Sequence, residues 1–237
     1  ITSSRISDAF NAADQLEITG GKKNTLNFEL IKGRLKARYN SSSPQAASRY
    51  FKTMHQNNPS NENTFAYIAS LKSSGNFQEA TNLNNELIEK FPKNLILNIT
   101  KAEIFLSAQQ YEKAKESIEE VLKISPRNFP ASIVKAKILS AQNESIKAEE
   151  ILRDLLIRKN KDPSIWMQLS EIQRAGKNIV GYHLSRGEYY LLIGDFQNAL
   201  NQFQFALGLS NHSFQTSETI LTKIEYAKER IANKKGL

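Results

Sequence analysis

The sequence predicts an all-α solenoid built from antiparallel helix pairs. Three observations carry that expectation: small and apolar residues return at a fixed step of 34, the stretches between them read as amphipathic helices, and prolines close the pairs. Ala80, Ala114 and Ala148 stand 34 residues apart, and Phe77, Tyr111 and Ser145 precede each of them by three. Ala47 lies 33 before Ala80, so the first repeat is offset by one. Pro59, Pro92 and Pro126 each follow an alanine of the series by twelve, where a ring that cannot continue a helix ends one pair and opens the next turn.

The small residues have a steric purpose. Two antiparallel helices on a short turn approach closely only where the crossing residues lack bulk. Ala102, Ala136 and Ser170 mark those crossings at the 34-residue step, and Gly187 marks another at a different step. Between them, Ile118, Val121, Leu122 and Ile124 in one helix, and Ile151, Leu152, Leu155 and Leu156 in the next, follow the helical period.

Taken in chain order, helices are expected near residues 3–17, 25–39, 44–57, 62–74, 77–90, 94–108, 111–124, 130–141, 144–159, 163–175, 178–193, 195–209 and 216–233. The step from Ala148 to Ala199 is 51, one and a half repeats, so one helix is expected to serve two repeats. The domain reading is a single repeat domain over 1–237. It comprises a leading helix and turn at 1–24, repeats at 25–59, 60–93, 94–127, 128–162 and 163–193, a repeat sharing a helix at 178–210, and a capping helix at 211–237. Ile220, Leu221, Ile224, Tyr226 and Ile231 are expected to close the exposed end. The opening at Ile1 shows no signal-peptide succession and no native start, so the chain is expected to be part of a longer one.

Composition narrows the function classes. The 237 residues are 40% hydrophobic and include no cysteine and three histidines, which excludes disulfides and thiolate zinc sites. No apolar run approaches the roughly 18 to 20 residues of a membrane-spanning helix. The net charge of +8 raises the question of an acidic partner, and residues 1–60 hold nine Lys or Arg against four Asp or Glu. Around Phe28 to Tyr39 the charges distribute as on a solvated helix: Lys32 and Lys36 share one side, Arg34 and Arg38 another, around an apolar stripe of Phe28, Ile31 and Leu35.

Catalytic signatures do not occur. A His-Glu-x-x-His helix is missing, and His55, His183 and His212 read as exposed or packing residues. Gly20-Gly21-Lys22-Lys23 lacks the earlier glycine and the following hydroxyl of a phosphate loop and reads as a turn. There is no Gly-x-Ser-x-Gly elbow. Tyr189, Tyr190, Phe203 and Phe205 read as packing residues rather than base-stacking platforms. The chain is not expected to be an enzyme and needs no cofactor or metal of its own.

A 34-residue step of helix, turn, helix and closing proline, with Gly75-Asn76-Phe77-Gln78-Glu79-Ala80 and Gly194-Asp195-Phe196-Gln197-Asn198-Ala199, is the tetratricopeptide (TPR) pattern. The fold expectation becomes a TPR solenoid, a right-handed superhelix of antiparallel pairs with about 13 helices and a lone C-terminal cap. In such stacks the first helix of each pair lines a concave peptide-binding groove. The positions placed there are Lys36, Tyr39, Phe65, Ala69, Lys72, Ile99, Glu103, Leu106, Ile133, Lys137, Met167, Glu171 and Arg174. Phe65, Ile99, Ile133 and Met167 occupy one repeat position, which reads equally as an apolar track in the groove or as packing between repeats.

Three segments carry a more specific likeness. Arg5-Ile6-Ser7-Asp8-Ala9 with Asn11 and Ala12, Phe28-Glu29-Leu30 with Arg34-Leu35, and Tyr182-His183-Leu184-Ser185-Arg186-Gly187-Glu188-Tyr189-Tyr190 with Gly194 and Phe196 resemble the C-terminal TPR array of bacterial periplasmic HExxH zinc metallopeptidases typified by the beta-barrel assembly-enhancing protease. The resemblance implies a periplasmic protein peripheral to the outer membrane. It implies partners among its own protease domain, unfolded outer-membrane proteins and barrel-assembly components, with zinc only in a protease domain preceding this chain and no catalytic residue within it. The alternatives are a stand-alone TPR scaffold for secretion or pilus assembly and, on the basic pI near 9.5, a nucleic-acid binder, although no nucleic acid is expected as partner.

Overall fold

A computed structural model describes residues 25–39, 43–209 and 214–235. The expected helix at 3–17 lies outside the described residues. Among the latter there are twelve helices and no strand: α1 (Leu26–Tyr39), α2 (Pro44–Asn57), α3 (Asn61–Ser74), α4 (Phe77–Lys90), α5 (Leu95–Ser107), α6 (Tyr111–Ile124), α7 (Phe129–Ala141), α8 (Ser145–Arg158), α9 (Pro163–Ala175), α10 (Ile179–Leu192), α11 (Phe196–Leu209) and α12 (Phe214–Lys235). Each lies within two residues of its expected bounds.

The 34-residue step is written into the backbone at both ends of the first helices. At their starts, Ser60, Asn94, Asn128 and Asp162 accept backbone N–H bonds on their side-chain oxygens, from Asn63, from Ile96 and Leu97, from Ala131 and from Ser164. At their ends, Gly75, Gln109, Asn143 and Lys177 adopt positive φ of 85°, 59°, 65° and 60°, and Gly194 follows 17 residues later at 79°. Each left-handed residue lets the next N–H turn back onto the helix just ended, as Gln110 N does onto Phe105 O at 2.9 Å and Asn178 N onto Gln173 O at 2.8 Å. Three of these five positions carry a side chain, which the left-handed region penalises, so the turn is imposed by the packing on either side of it.

By compactness the chain divides into residues 1–70 and 71–237. In the first unit, Gly33 of α1 meets the backbone of α3: a Cβ there would stand 2.3 Å from the Glu62 carbonyl oxygen and 3.1 Å from Ala66 N. Leu30, Ala47 and Phe51 are buried. The stripe of Phe28, Ile31 and Leu35 does not follow them. These side chains are 51%, 50% and 48% exposed, because the close crossing at Gly33 turns the other side of α1 toward α3.

In the second unit, each successive helix packs on the one before it, and first helices of neighbouring pairs also touch, α5 with α7 and α7 with α9. The cores repeat accordingly. Ile99, Ala102, Ala114, Ile118, Val121, Ala131, Val134 and Ile138 form one, and Ala136, Leu139, Ala148, Leu152, Leu155, Leu156, Ile165, Leu169 and Ile172 the next. α10 packs on both α9 and α11. Toward α9 it turns Gly181 and Ser185, whose hydroxyl donates to Gln173 Oε1 at 2.7 Å. Toward α11 it turns Gly187, where a Cβ would stand 2.3 Å from the Phe203 ring. Phe203, Ala199 and Ala206 then form a third core with Ile220 and Ile224 of α12. Leu221 and Tyr226, expected to help close that end, point outward at 41% and 49% exposure; α12 seals with one narrow stripe.

Candidate binding face

Four of the expected groove residues lie in the first unit. Lys36 pairs with Glu62, which Lys32 also reaches at 2.9 Å. Burial raises the Glu62 carboxyl, but hydrogen bonds and charge from the two ammonium groups outweigh it and hold the group below its ordinary value. Tyr39 is 76% exposed, with the Arg38 guanidinium 5.7 Å from its ring centroid. Ala69 is half-buried. Phe65 is 1% exposed beneath Arg34, so it packs inside the unit rather than lining a groove.

The rest lie in the second unit, where α5 lies against α7 and α7 against α9. Lys72, at the end of α3, donates to Glu103 of α5 at 2.7 Å. Glu103 and Lys72 both act electrostatically on Lys137 of α7. Between α7 and α9 an open recess of about 330 Å³ is lined by Lys137, Ser140, Gln168, Glu171 and Arg174. Glu171 of α9 accepts from Arg174 at 2.9 Å and lies 3.8 Å from Arg186 of α10. The row therefore carries Lys72, Lys137, Arg174 and Arg186 against Glu103 and Glu171, a surplus of two positive charges.

Lys137 forms no ion pair with a described residue. One side of it is open to solvent, yet surrounding protein strips enough water that desolvation pushes its ammonium below the ordinary value. Lys72 adds to that push and Glu103 opposes it.

Apolar groups border the charges unevenly. Ile99, 4% exposed, belongs to a core cluster; Leu106 and Ile133 pack half-buried against the cores, and Met167 is also half-buried. The track of four apolar side chains is corrected to two. Ile133 and Met167 reach the surface, while Phe65 and Ile99 are buried, each within its own unit, because the helices packed beside them cover that side.

Sequence reasoning did not assign the α10 contribution. Arg186 sits 5.8 Å and 5.6 Å from the rings of Tyr182 and Tyr190, donates to Tyr190 Oη at 3.3 Å and approaches the Met167 sulfur at 4.0 Å. The signal was the spacing itself: 182, 186 and 190 stack on one helical face. His55 and His183 are half-buried and bonded to Thr64 Oγ1 at 3.0 Å and Gln202 Oε1 at 2.9 Å. Among the described residues no group of three His, Asp or Glu is placed to hold a metal, and no helix is long and apolar enough to cross a membrane.

The Tetratricopeptide repeat family model matches residues 105–172. Solved structures agree over more of the chain. A tetratricopeptide repeat protein from Parabacteroides merdae shares 13% identity at a TM-score of 0.50, covering 94% of this chain and 90% of its own. A thermophilic TPR protein of Thermus thermophilus shares 18% at 0.50, covering 84% and 99%. A chain of the APC/C hetero-tetramer Cut9-Hcn1 shares 16% at 0.55, covering 96% of this chain and 46% of that one. What they share with it is the fold, an all-helical TPR-repeat solenoid. No curated protein matches the sequence significantly.

Proposed function

We propose that the face formed by α5, α7, α9 and α10, with the last turn of α3, binds segments of other proteins in which apolar residues alternate with acidic ones. The observation that carries this is Lys137, a partly desolvated ammonium with no ion pair among the described residues, in a row with two surplus positive charges and flanked by the half-open Ile133 and Met167. An acidic side chain laid against Lys137 restores the interaction it lost with water, and an apolar neighbour covers Met167. The test is fluorescence anisotropy with a labelled peptide of Leu, Ser and Glu. Lys137→Glu combined with Arg186→Glu is expected to weaken binding by at least about tenfold, or ~1.4 kcal/mol, at unchanged circular dichroism. Equal affinity of the double variant would exclude this face.

At finer grain, the resemblance of residues 5–12, 28–35 and 182–196 supports a role beside a zinc metallopeptidase domain in the bacterial periplasm. There this face would recruit unfolded outer-membrane chains or barrel-assembly components, and the zinc would belong to the protease domain. Capture of those proteins from a periplasmic extract, lost in the same double variant, supports the recruitment role. Capture of secretion or pilus-assembly proteins instead favours a stand-alone scaffold. Phe65→Glu is unsuited to this experiment, since it would bury a charge and unfold the first unit.

A further inference from the structure

One helix of the second unit meets water without a single charge. Of the twelve described helices α11 alone carries no Asp, Glu, Lys or Arg, and residues 196–217 as a whole carry none, in a chain that is 24% charged. α4, α6 and α8, whose Ala80, Ala114 and Ala148 correspond to Ala199, carry four, seven and six charged residues. Those three helices show how the chain solvates this position, and α11 departs from them. It packs on α10 and α12 and leaves Gln197, Gln204, Phe205, Gly208 and Leu209 exposed, with Phe205 at 57% and Leu209 at 50%. Residues 197, 201, 204, 205 and 208 follow helical steps and make one face. Gly208 on that face is a crossing point left open. At Gly33, Gly181 and Gly187 an added Cβ would meet an atom of a neighbouring helix at 2.3, 2.7 and 2.3 Å, whereas around Gly208 nothing lies within 4 Å.

We infer that this face of α11 docks a second copy of the chain, the two α11 helices lying against each other across a twofold axis. Electrostatics selects that occupant. Two chains of net charge +8 repel wherever their charged surfaces approach, and a helix free of charge is where they can meet without setting like against like. A twofold contact also requires a face that complements itself. Carboxamides do so, since each both donates and accepts, and Gln197, Asn201 and Gln204 supply them. Phe205 and Leu209 bring apolar area, and Gly208 lets the two backbones approach closely. A strongly acidic or basic partner would find no ion pair on α11.

Sedimentation velocity of the full chain across the micromolar range reads the contact. The expected result is a reversible dimer whose dissociation constant rises at least about tenfold in Phe205→Lys and in Gly208→Lys. Gly208→Lys removes no contact within the chain and favours the helix, so unfolding does not account for a loss of dimer. Ile157→Lys adds the same charge at an apolar position of α8 that is 82% exposed, and is expected to leave the constant unchanged. Raising salt from about 50 to 500 mM should tighten the dimer, because it screens the repulsion between the two chains. A chain that stays monomeric would overturn the proposal, as would a dimer that survives both α11 variants or is lost equally in Ile157→Lys. Association that salt weakens would place the contact between oppositely charged surfaces and overturn it too.

Discussion

The stretch α5 to α8 and the stretch α9 to α11 are built from the same parts at different pitch. In the first, the small residues are alanines: Ala102 on α5, and on α7 Ala131 in the core shared with α5 and α6 and Ala136 in the core shared with α8 and α9. In the second, α10 has glycine or serine on two sides, Gly181 and Ser185 toward α9 and Gly187 toward α11. The difference is one of degree: α10 meets its neighbours with glycine and serine, where α5 and α7 use alanine.

The comparison breaks hardest at Phe203, fully buried between α10 and α12. Phe203→Ala is expected to cost about 4 kcal/mol in chemical denaturation. Asn84 fills the corresponding place in α4 but is held by one bond to Leu97 O, so Asn84→Ala is expected to cost about 1 kcal/mol. Next comes the two-sided smallness of α10. Gly187→Ala should cost about 2 kcal/mol, because its Cβ has no room beside the Phe203 ring, and Phe203→Leu should recover part of that in a double-mutant cycle. Gln173→Leu should cost a similar ~2 kcal/mol, since Gln173 joins Ser185 to Glu149 from a buried position.

Smaller effects sharpen the comparison. Gln109→Gly and Lys177→Gly, one at a regular turn and one at the start of the half-step, are each expected to stabilise by up to about 1 kcal/mol, because glycine accepts the positive φ without strain. The smallest concerns Glu62. Its folded pKa is lowered, so its contribution is complete above the ordinary value of 4.5 and is lost as pH falls through the folded value. Between about pH 6 and pH 3, thermal melts of Glu62→Gln should therefore shift less than those of the native chain.

Much of this was legible from residue order alone, since a periodic fold repeats its packing rules and repetition is what a sequence displays best. The twelve described helices followed from the period of Ala80, Ala114 and Ala148 and the apolar patterning between them. The caps at Ser60, Asn94, Asn128 and Asp162 hold the same period in three different residue types, and therefore did not stand out. The proposed binding face was legible only in part. Helical spacing tells which residues share a face, but not which neighbour covers it, and so Phe65 and Ile99 read like Ile133 and Met167. Arg186 was hidden for a related reason: α10 packs on both α9 and α11, and only packing tells which side of it stays open.

The close packing of α10 on both its neighbours has a consequence for how the molecule comes apart. Where each helix belongs to one repeat, a stack can fray one pair at a time, with interfaces failing in sequence. Loss of α10 removes the partners of α9 and α11 together, and α12 rests on α11. The stretch from α9 to α12 should accordingly open as a single cooperative block, its amides exchanging with solvent at one common free energy, while those of α5 to α8 exchange in steps.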